Sequence, residues 1–113
     1  MLTDSTVHQL GADAFEQQLE ITSDKIILDV RTPSEYHQGH LANAILVDVQ
    51  SSDFRDQVRT LDKSKPLFVY CASGIRSEEA VQILYNQGHT NIYELEGGFH
   101  EWLEAGKSFK KND

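Results

Sequence analysis

Four short runs of almost unbroken apolar character, at residues 26–30, 45–47, 67–70 and 92–95, constrain this chain more than any other feature. A strand with one wet face alternates apolar and polar residues, whereas a strand covered on both faces reads as a continuous apolar run. The runs are separated by segments with helical spacing. Phe15 and Leu19 stand four apart within residues 12–20. Phe54, Val58 and Leu61 follow i, i+4, i+7, with Ser51 or Ser52 as the expected N-cap. Ala80, Val81 and Leu84 form a stripe in residues 76–87 that Gly88 ends, and a last helix is expected from Phe99 to Ala105, ending at Gly106. A further short strand is placed around Val7-His8. Strands alternating with helices predict a three-layer α/β domain: a central, mostly parallel sheet of about five strands flanked by helices and joined by right-handed crossovers.

The 113 residues match the size of one domain. No internal repeat or linker divides them, so residues 1–106 are taken as the domain and residues 107–113 as a polar tail expected to fray. No apolar stretch approaches the roughly 20 residues that span a bilayer, and Met1-Leu2-Thr3-Asp4-Ser5 lacks the basic and apolar regions of a signal peptide. A cytoplasmic location is the expectation. The net charge of -8 opposes binding to nucleic acid or to an anionic membrane surface, both of which favour a basic face. An anionic ligand would have to be held by local geometry instead. The single cysteine excludes an internal disulfide and a cysteine-rich zinc site. The five histidines show neither HxxxH nor HExxH spacing, so no metal is expected.

That cysteine, Cys71, follows directly on the run Leu67-Phe68-Val69-Tyr70 and precedes a helix. Open parallel sheets bind ligands at the carboxyl ends of their strands. A loop curling over a helix N-terminus turns backbone N–H groups and the positive end of the helix dipole toward one point. Such a site favours a thiolate, which is the nucleophilic form of cysteine. Cys71 is therefore the candidate nucleophile, and Ala72, Ser73, Gly74, Ile75, Arg76 and Ser77 are the candidate cradle for a bound anion. Small residues keep the cradle open, and Gly74 tolerates a positive φ. Arg76 either adds charge to the pocket or pairs structurally. Ser77 either caps the helix or donates to the sulfur. Glu78 and Glu79 suit the helix dipole but offset part of the cradle's potential. The loop alone leaves open the alternative of a buried structural cysteine, since free cysteine is among the most buried residue types.

Three segments in order make the chain resemble the single-domain rhodaneses, a sulfurtransferase family. They are Asp29-Val30-Arg31-Thr32-Pro33-Ser34-Glu35-Tyr36 running into Gly39-His40-Leu41-Ala42-Asn43-Ala44, the Cys71–Ser77 loop, and Leu95-Glu96-Gly97-Gly98-Phe99 with Trp102. The resemblance implies that Cys71 takes a sulfane sulfur from a small anionic donor such as thiosulfate, forming a persulfide. Cyanide, a small thiol or a protein thiol then removes it, with no metal or organic cofactor. It also sets two alternatives beside the enzyme: a noncatalytic interaction module on the same fold, and a cysteine phosphatase. Phosphatase loops of the related kind follow Cys-x5-Arg, whereas here four residues separate Cys71 from Arg76. Asn43 stands where the family often has glycine, and asparagine tolerates the left-handed turn. Ala72 and Ser73 occupy positions that are basic in some members that prefer thiosulfate. Asp29 and Arg31 are expected to pair or to cap neighbouring amides, and His40 to bond backbone. Gly97 and Gly98 are expected to supply unusual backbone angles, Phe99 and Trp102 packing, and Glu35 a first-turn acid.

Overall fold

A computed structural model describes residues 6–111. The signal-peptide reading of residues 1–5 and the last two residues of the tail lie outside the described residues. Five strands alternate with five helices: β1 (Val7–Leu10), α1 (Ala12–Ile21), β2 (Ile26–Asp29), α2 (Pro33–Gln38), β3 (Ile45–Leu46), α3 (Phe54–Val58), β4 (Leu67–Tyr70), α4 (Ile75–Asn86), β5 (Ile92–Leu95) and α5 (Gly98–Glu104). The sheet order is β1-β5-β4-β2-β3, and every pair is parallel. Parallel neighbours cannot be joined by a tight turn, which is why a helix or long loop stands between each pair of strands.

The runs of the inner strands β2, β4 and β5 are largely buried on both faces as their composition predicts. Strand β3 lies at the sheet edge and its Ile45 is 49% exposed, so the run at 45–47 overstated its burial. All four residues of β4 are fully buried, yet they serve two separate cores. Leu67 and Val69 face a cluster with Leu28, Phe54, Val58 and the α4 residues Ala80, Val81 and Leu84. Phe68 and Tyr70 face the other side, with Phe15, Leu41, Leu95, Phe99 and Trp102. At ~25 cal/mol per Å² of apolar surface, each large side chain withdrawn into these clusters is worth about 1.5–3 kcal/mol relative to exposure.

The structure departs from the sequence reading in four further places. The N-cap of α3 is Asp53 rather than a serine; the Ser51 hydroxyl donates to the Asp53 carboxylate instead. Helix α3 ends at Val58, and Leu61 reaches the core from the following turn. Gly98 has φ +69, but Gly97 has φ -88 and needs no glycine-specific angle. Residues 107–111 are docked rather than frayed. Lys107 pairs with Asp13 at 2.7 Å and Glu16 at 2.8 Å, the Trp102 indole N–H donates to the Ser108 carbonyl, and Lys110 forms an antiparallel bridge with His40. The Phe109 ring meets Phe99 edge-on. A polar composition hid this attachment because the docking groups are mainly backbone atoms and one ammonium.

The chain adds β3 on one side of β2 and then β4 on the other, so the direction of winding reverses at β2. The crevice at such a reversal opens beyond the carboxyl ends of β2 and β4. Asp29 and Tyr70 are register partners at those ends, and the Tyr70 hydroxyl donates to Asp29 Oδ2 at 2.6 Å while accepting from the Leu41 N–H at 3.0 Å. Burial and the adjacent carboxylate raise the Tyr70 phenol far above its ordinary range, so it stays a donor at every physiological pH. Tyr70→Phe leaves a buried carboxylate oxygen and a buried N–H each short of a partner. Unfolding in urea should show a loss of about 1–3 kcal/mol with an unchanged denaturant slope; an unaltered midpoint would refute this account of the hydroxyl.

Candidate active site

Cys71 is the first residue after β4 and is only 1% exposed. Its Sγ accepts a hydrogen bond from the Gly74 N–H at 3.1 Å, so the loop folds back on the sulfur. That fold-back requires Gly74, which sits at φ +99 and ψ -7. A Cβ there would also lie 2.1 Å from the Glu96 carbonyl oxygen. Gly98 makes the matching demand from below: at φ +69, a Cβ would meet the Ala72 carbonyl at 2.4 Å. This close approach lets α5 grip the loop. The Phe99 N–H donates to the Cys71 carbonyl at 2.7 Å, and the His100 N–H to the Ala72 carbonyl at 2.9 Å.

The remaining loop residues divide by exposure. Ser73 and Ile75 face solvent, Ile75 being 77% exposed, while Ala72, Gly74 and Arg76 are partly covered and Ser77 is buried. Glu78 and Glu79 both point outward, where solvent and salt screen them. Arg76, open between two roles in the sequence, pairs with Glu35 through two parallel bonds: Nη1 to Oε1 at 2.8 Å and Nη2 to Oε2 at 2.9 Å. The bond to Glu35 holds the Arg76 guanidinium above its ordinary range. Ser77 donates to the Glu94 carboxyl at 2.6 Å, with the Gly74 carbonyl at 3.2 Å as a second acceptor. Its contacts therefore tie the first turn of α4 to β5. Burial raises the Glu94 carboxyl above the usual carboxylate range.

Around this loop stands a buried polar frame. Arg31 Nε and Nη2 reach Asp29, the closest contact being 2.7 Å, and Nη2 also donates to the Gly39 carbonyl at 2.6 Å. The Arg31 N–H caps the same carboxylate at 3.0 Å, so pairing and capping both occur. The Arg31 guanidinium lies 4.5 Å from the centre of the Phe99 ring. His40 Nδ1 is 2.8 Å from the Tyr36 carbonyl, and its ring stacks on Tyr36 at 3.8 Å. Asn43 adopts φ 68, the left-handed turn expected of it.

Sequence reasoning missed two members of this environment, the Glu94 carboxyl and the Tyr70 hydroxyl, and the distant partner of a third, Glu35, which is the first-turn acid expected of it. Glu94 carried a signal, an acidic residue inside the apolar run Ile92-Tyr93-Glu94-Leu95. Glu35 carried another: Thr32-Pro33-Ser34-Glu35 is a capping box, and the box is formed in full. Its reach to Arg76, 41 residues away, left no local trace. The Tyr70 hydroxyl at the end of a wholly apolar strand left none either.

The Arg76–Glu35 pair has a pH signature. The Arg76 guanidinium, with the Thr32 N–H and hydroxyl, lowers the Glu35 carboxyl to about 2. A lowered folded-state value stabilises the fold above the ordinary carboxylate range, and the contribution fades as pH falls from about 4.5 toward 2. Both side chains retain some solvent contact, so the pair is worth about 1 kcal/mol. In thermal unfolding, Glu35→Gln should be less stable than the wild type at pH 7, and the gap should narrow steadily below pH ~4.5. A gap that stayed constant would remove the ion pair as its cause.

Comparison with known proteins closes on the same geometry. The family model described as "Rhodanese-like domain" matches residues 11–105. A rhodanese-related protein of Thermoplasma volcanium superposes with a TM-score of 0.79 at 32% identity, covering 91% of this chain and 97% of that one. The rhodanese-like domain of an Anabaena protein gives 0.79 at 30% identity, covering 91% and 78%. Among curated proteins, the tRNA uridine(34) hydroxylase of Yersinia pestis is 36% identical over an alignment that covers 88% of this chain but 29% of that protein. The chain thus spans less than a third of the length of the curated relatives it matches. With the family model matching residues 11–105 and these solved structures sharing the fold over nine-tenths of its length, the chain belongs to the rhodanese-like domain family.

Proposed function

We propose that this domain is a sulfurtransferase that carries a sulfane sulfur on Cys71. The observation that supports this most directly is the Gly74 N–H held 3.1 Å from Sγ in a loop that bends around a single atom. The amides of Ile75, Arg76 and Ser77 open α4 and have no intrahelical acceptor, so they offer further donors to a negative sulfur added at Sγ. The Cys71 thiolate attacks the outer sulfur of thiosulfate, the S–S bond of the donor breaks, and sulfite leaves with the electron pair. The product is the Cys71 persulfide. A second thiophile then takes the sulfane sulfur and returns Cys71 to its thiolate, a ping-pong exchange needing no external oxidant or cofactor.

Burial of Cys71 shapes the choice of donor. Cys71 is almost wholly buried as a residue, which favours a slim donor whose reacting sulfur projects from its tip. The short span to Arg76, with that guanidinium already engaged by Glu35, argues against a phosphoryl group, which needs a wider cradle and a free cation. The curated relatives are named for hydroxylating a tRNA uridine. For this chain, the net charge of -8 disfavours an RNA backbone as the direct ligand, because phosphate contacts draw on a basic face. Among the described residues no helix is long and apolar enough to cross a membrane. A chemistry that depends on a free thiol fits a reducing compartment such as the cytoplasm.

Intact-mass measurement after incubation with thiosulfate should show a gain of about 32 Da, one sulfur, removed by cyanide or dithiothreitol. Cys71→Ser should abolish both the gain and the turnover while shifting stability by less than about 1 kcal/mol. A mass that never changes with thiosulfate, mercaptopyruvate or glutathione persulfide would favour the noncatalytic module. Cys71-dependent hydrolysis of p-nitrophenyl phosphate would favour the phosphatase.

A further inference from the structure

Glu94 lies within β5, is 2% exposed and, among the described residues, has no ion-pair partner. It is the register partner of Val69 in β4, and Val69 and Cys71, two positions apart, belong to the same core cluster. Side chains of register partners point to one face of a sheet, so the carboxyl lies on the face that carries Cys71. The first turn of α4 closes the same corner with Ser77, which is wholly buried.

The hydrogen bonds around Ser77 need one hydrogen more than its hydroxyl supplies. Ser77 Oγ lies 2.6 Å from Glu94 Oε2 and 3.2 Å from the Gly74 carbonyl. A serine hydroxyl donates a single hydrogen, so it cannot serve both acceptors. A proton on Glu94 Oε2 resolves the count: Glu94 donates to Ser77 Oγ, and the Ser77 hydrogen turns to Gly74. The other carboxyl oxygen, Oε1, still accepts from Gln9 Nε2 at 3.3 Å. The surrounding charges favour the same state. Glu94 faces the uncharged Gln9 of β1 and Val69 of β4, and the charged groups that bear on it are acids, Glu78 of α4 and Glu96 beyond β5. Burial, followed by those carboxylates, raises Glu94 above the usual carboxylate range. A buried carboxylate without a cation is costly, whereas a neutral acid with both oxygens bonded is much less so.

We propose that Glu94 holds its proton at neutral pH and acts as the positioning residue for Cys71. It donates to Ser77, Ser77 donates to the Gly74 carbonyl, and the Gly74 N–H meets Sγ at 3.1 Å. The inference rests on the reading of Cys71 as the sulfur carrier. The bonded chain fixes Gly74, whose left-handed conformation at φ +99 turns its amide to the sulfur. The neutral acid also keeps a second negative charge off the face where the thiolate or persulfide anion forms. An anion on Cys71 in turn holds the proton on Glu94, which keeps it throughout sulfur transfer.

Infrared difference spectra of wild type minus Glu94→Gln at pH 7 should show the carbonyl stretch of a neutral carboxylic acid; a carboxylate signature in its place would overturn the proposal. In Cys71→Ser, which has no anionic sulfur, that band should fade at a lower pH than in the wild type. Fading at the same pH would sever Glu94 from the sulfur and end its positioning role. Alkylation of Cys71 by iodoacetamide at pH 7 reads the thiolate without any sulfur transfer. Ser77→Ala and Glu94→Ala should each slow it by about three- to tenfold, the loss of one bond in the chain, and the double variant should be no slower than either. Glu94→Gln should recover most of that rate, because its amide donates to Ser77 and accepts from Gln9 as the neutral acid does. A glutamine variant as slow as the alanine one, or wild-type rates in both alanine variants, would refute the assignment. Glu94→Gln and Ser77→Ala carry the test if Glu94→Ala does not fold. Intact-mass measurement of thiosulfate loading on the same proteins tests sulfur transfer separately. Sulfur that never loads, with the acid band and the alkylation pattern in place, would sink the sulfurtransferase reading while supporting the role of Glu94.

Discussion

The carboxylate of Asp29 is completely buried at the carboxyl end of β2, and donors from one neighbouring strand and a loop keep it there. The backbone N–H, Nε and Nη2 of Arg31 reach it from the loop that follows, and the Tyr70 hydroxyl reaches it from the end of β4. A buried charge without such partners would cost several kcal/mol, so the arrangement is held together or lost as a unit. It stitches β2 to β4 at the crevice where the winding reverses. From the same frame, Arg31 fixes the Gly39 carbonyl and lies against Phe99, while the Tyr70 hydroxyl fixes the Leu41 amide. The residue after Tyr70 is Cys71. The orientation of the reactive loop thus begins in a polar network that never touches the sulfur.

A second layer of constraint comes from α5. Because Gly98 carries no side chain, the start of this helix approaches the loop closely enough for two consecutive amides to bond the carbonyls of Cys71 and Ala72. The loop is then held on three sides: by β4 through the chain, by α5 through its amides, and by α2 through the Glu35–Arg76 pair. A loop that must cradle one atom gains from such over-determination, since preorganised donors need not be reoriented during reaction. The buried Glu94 adds a fourth tie, through Ser77, to β5.

The two-sided burial of the inner strands β2, β4 and β5 was legible from composition, whereas the apolar run at β3 did not show that this strand lies at the sheet edge with Ile45 exposed. The runs at 67–70 and 92–95 coincide with β4 and β5, and those at 26–30 and 45–47 exceed β2 and β3 by one residue each. The left-handed turn at Asn43 and the helix stop at Gly88 were also legible, because each depends on one residue's own backbone preference. Helix α3 was less so. Its apolar spacing continued to Leu61, but packing against the core satisfied Leu61 from a turn and left the helix shorter. The tail was misjudged for a related reason: polar residues suggest fraying unless the fold supplies carboxylates and a free backbone edge to receive them.

What the sequence by itself determined was the layered α/β class, the placement of the lone cysteine between a buried strand and a helix, and the glycine that lets the loop close behind it. These follow from local periodicity and from φ preferences, both of which act within a few residues. Only the tertiary structure decided what Arg76 and Ser77 do, since their partners, Glu35 and Glu94, lie 41 and 17 positions away. It alone showed that the end of the chain packs back on the fold, with Phe109 against Phe99 and Lys110 bridged to His40. Contacts between distant segments depend on the order in which strands assemble into the sheet, and no local pattern of residues encodes that order.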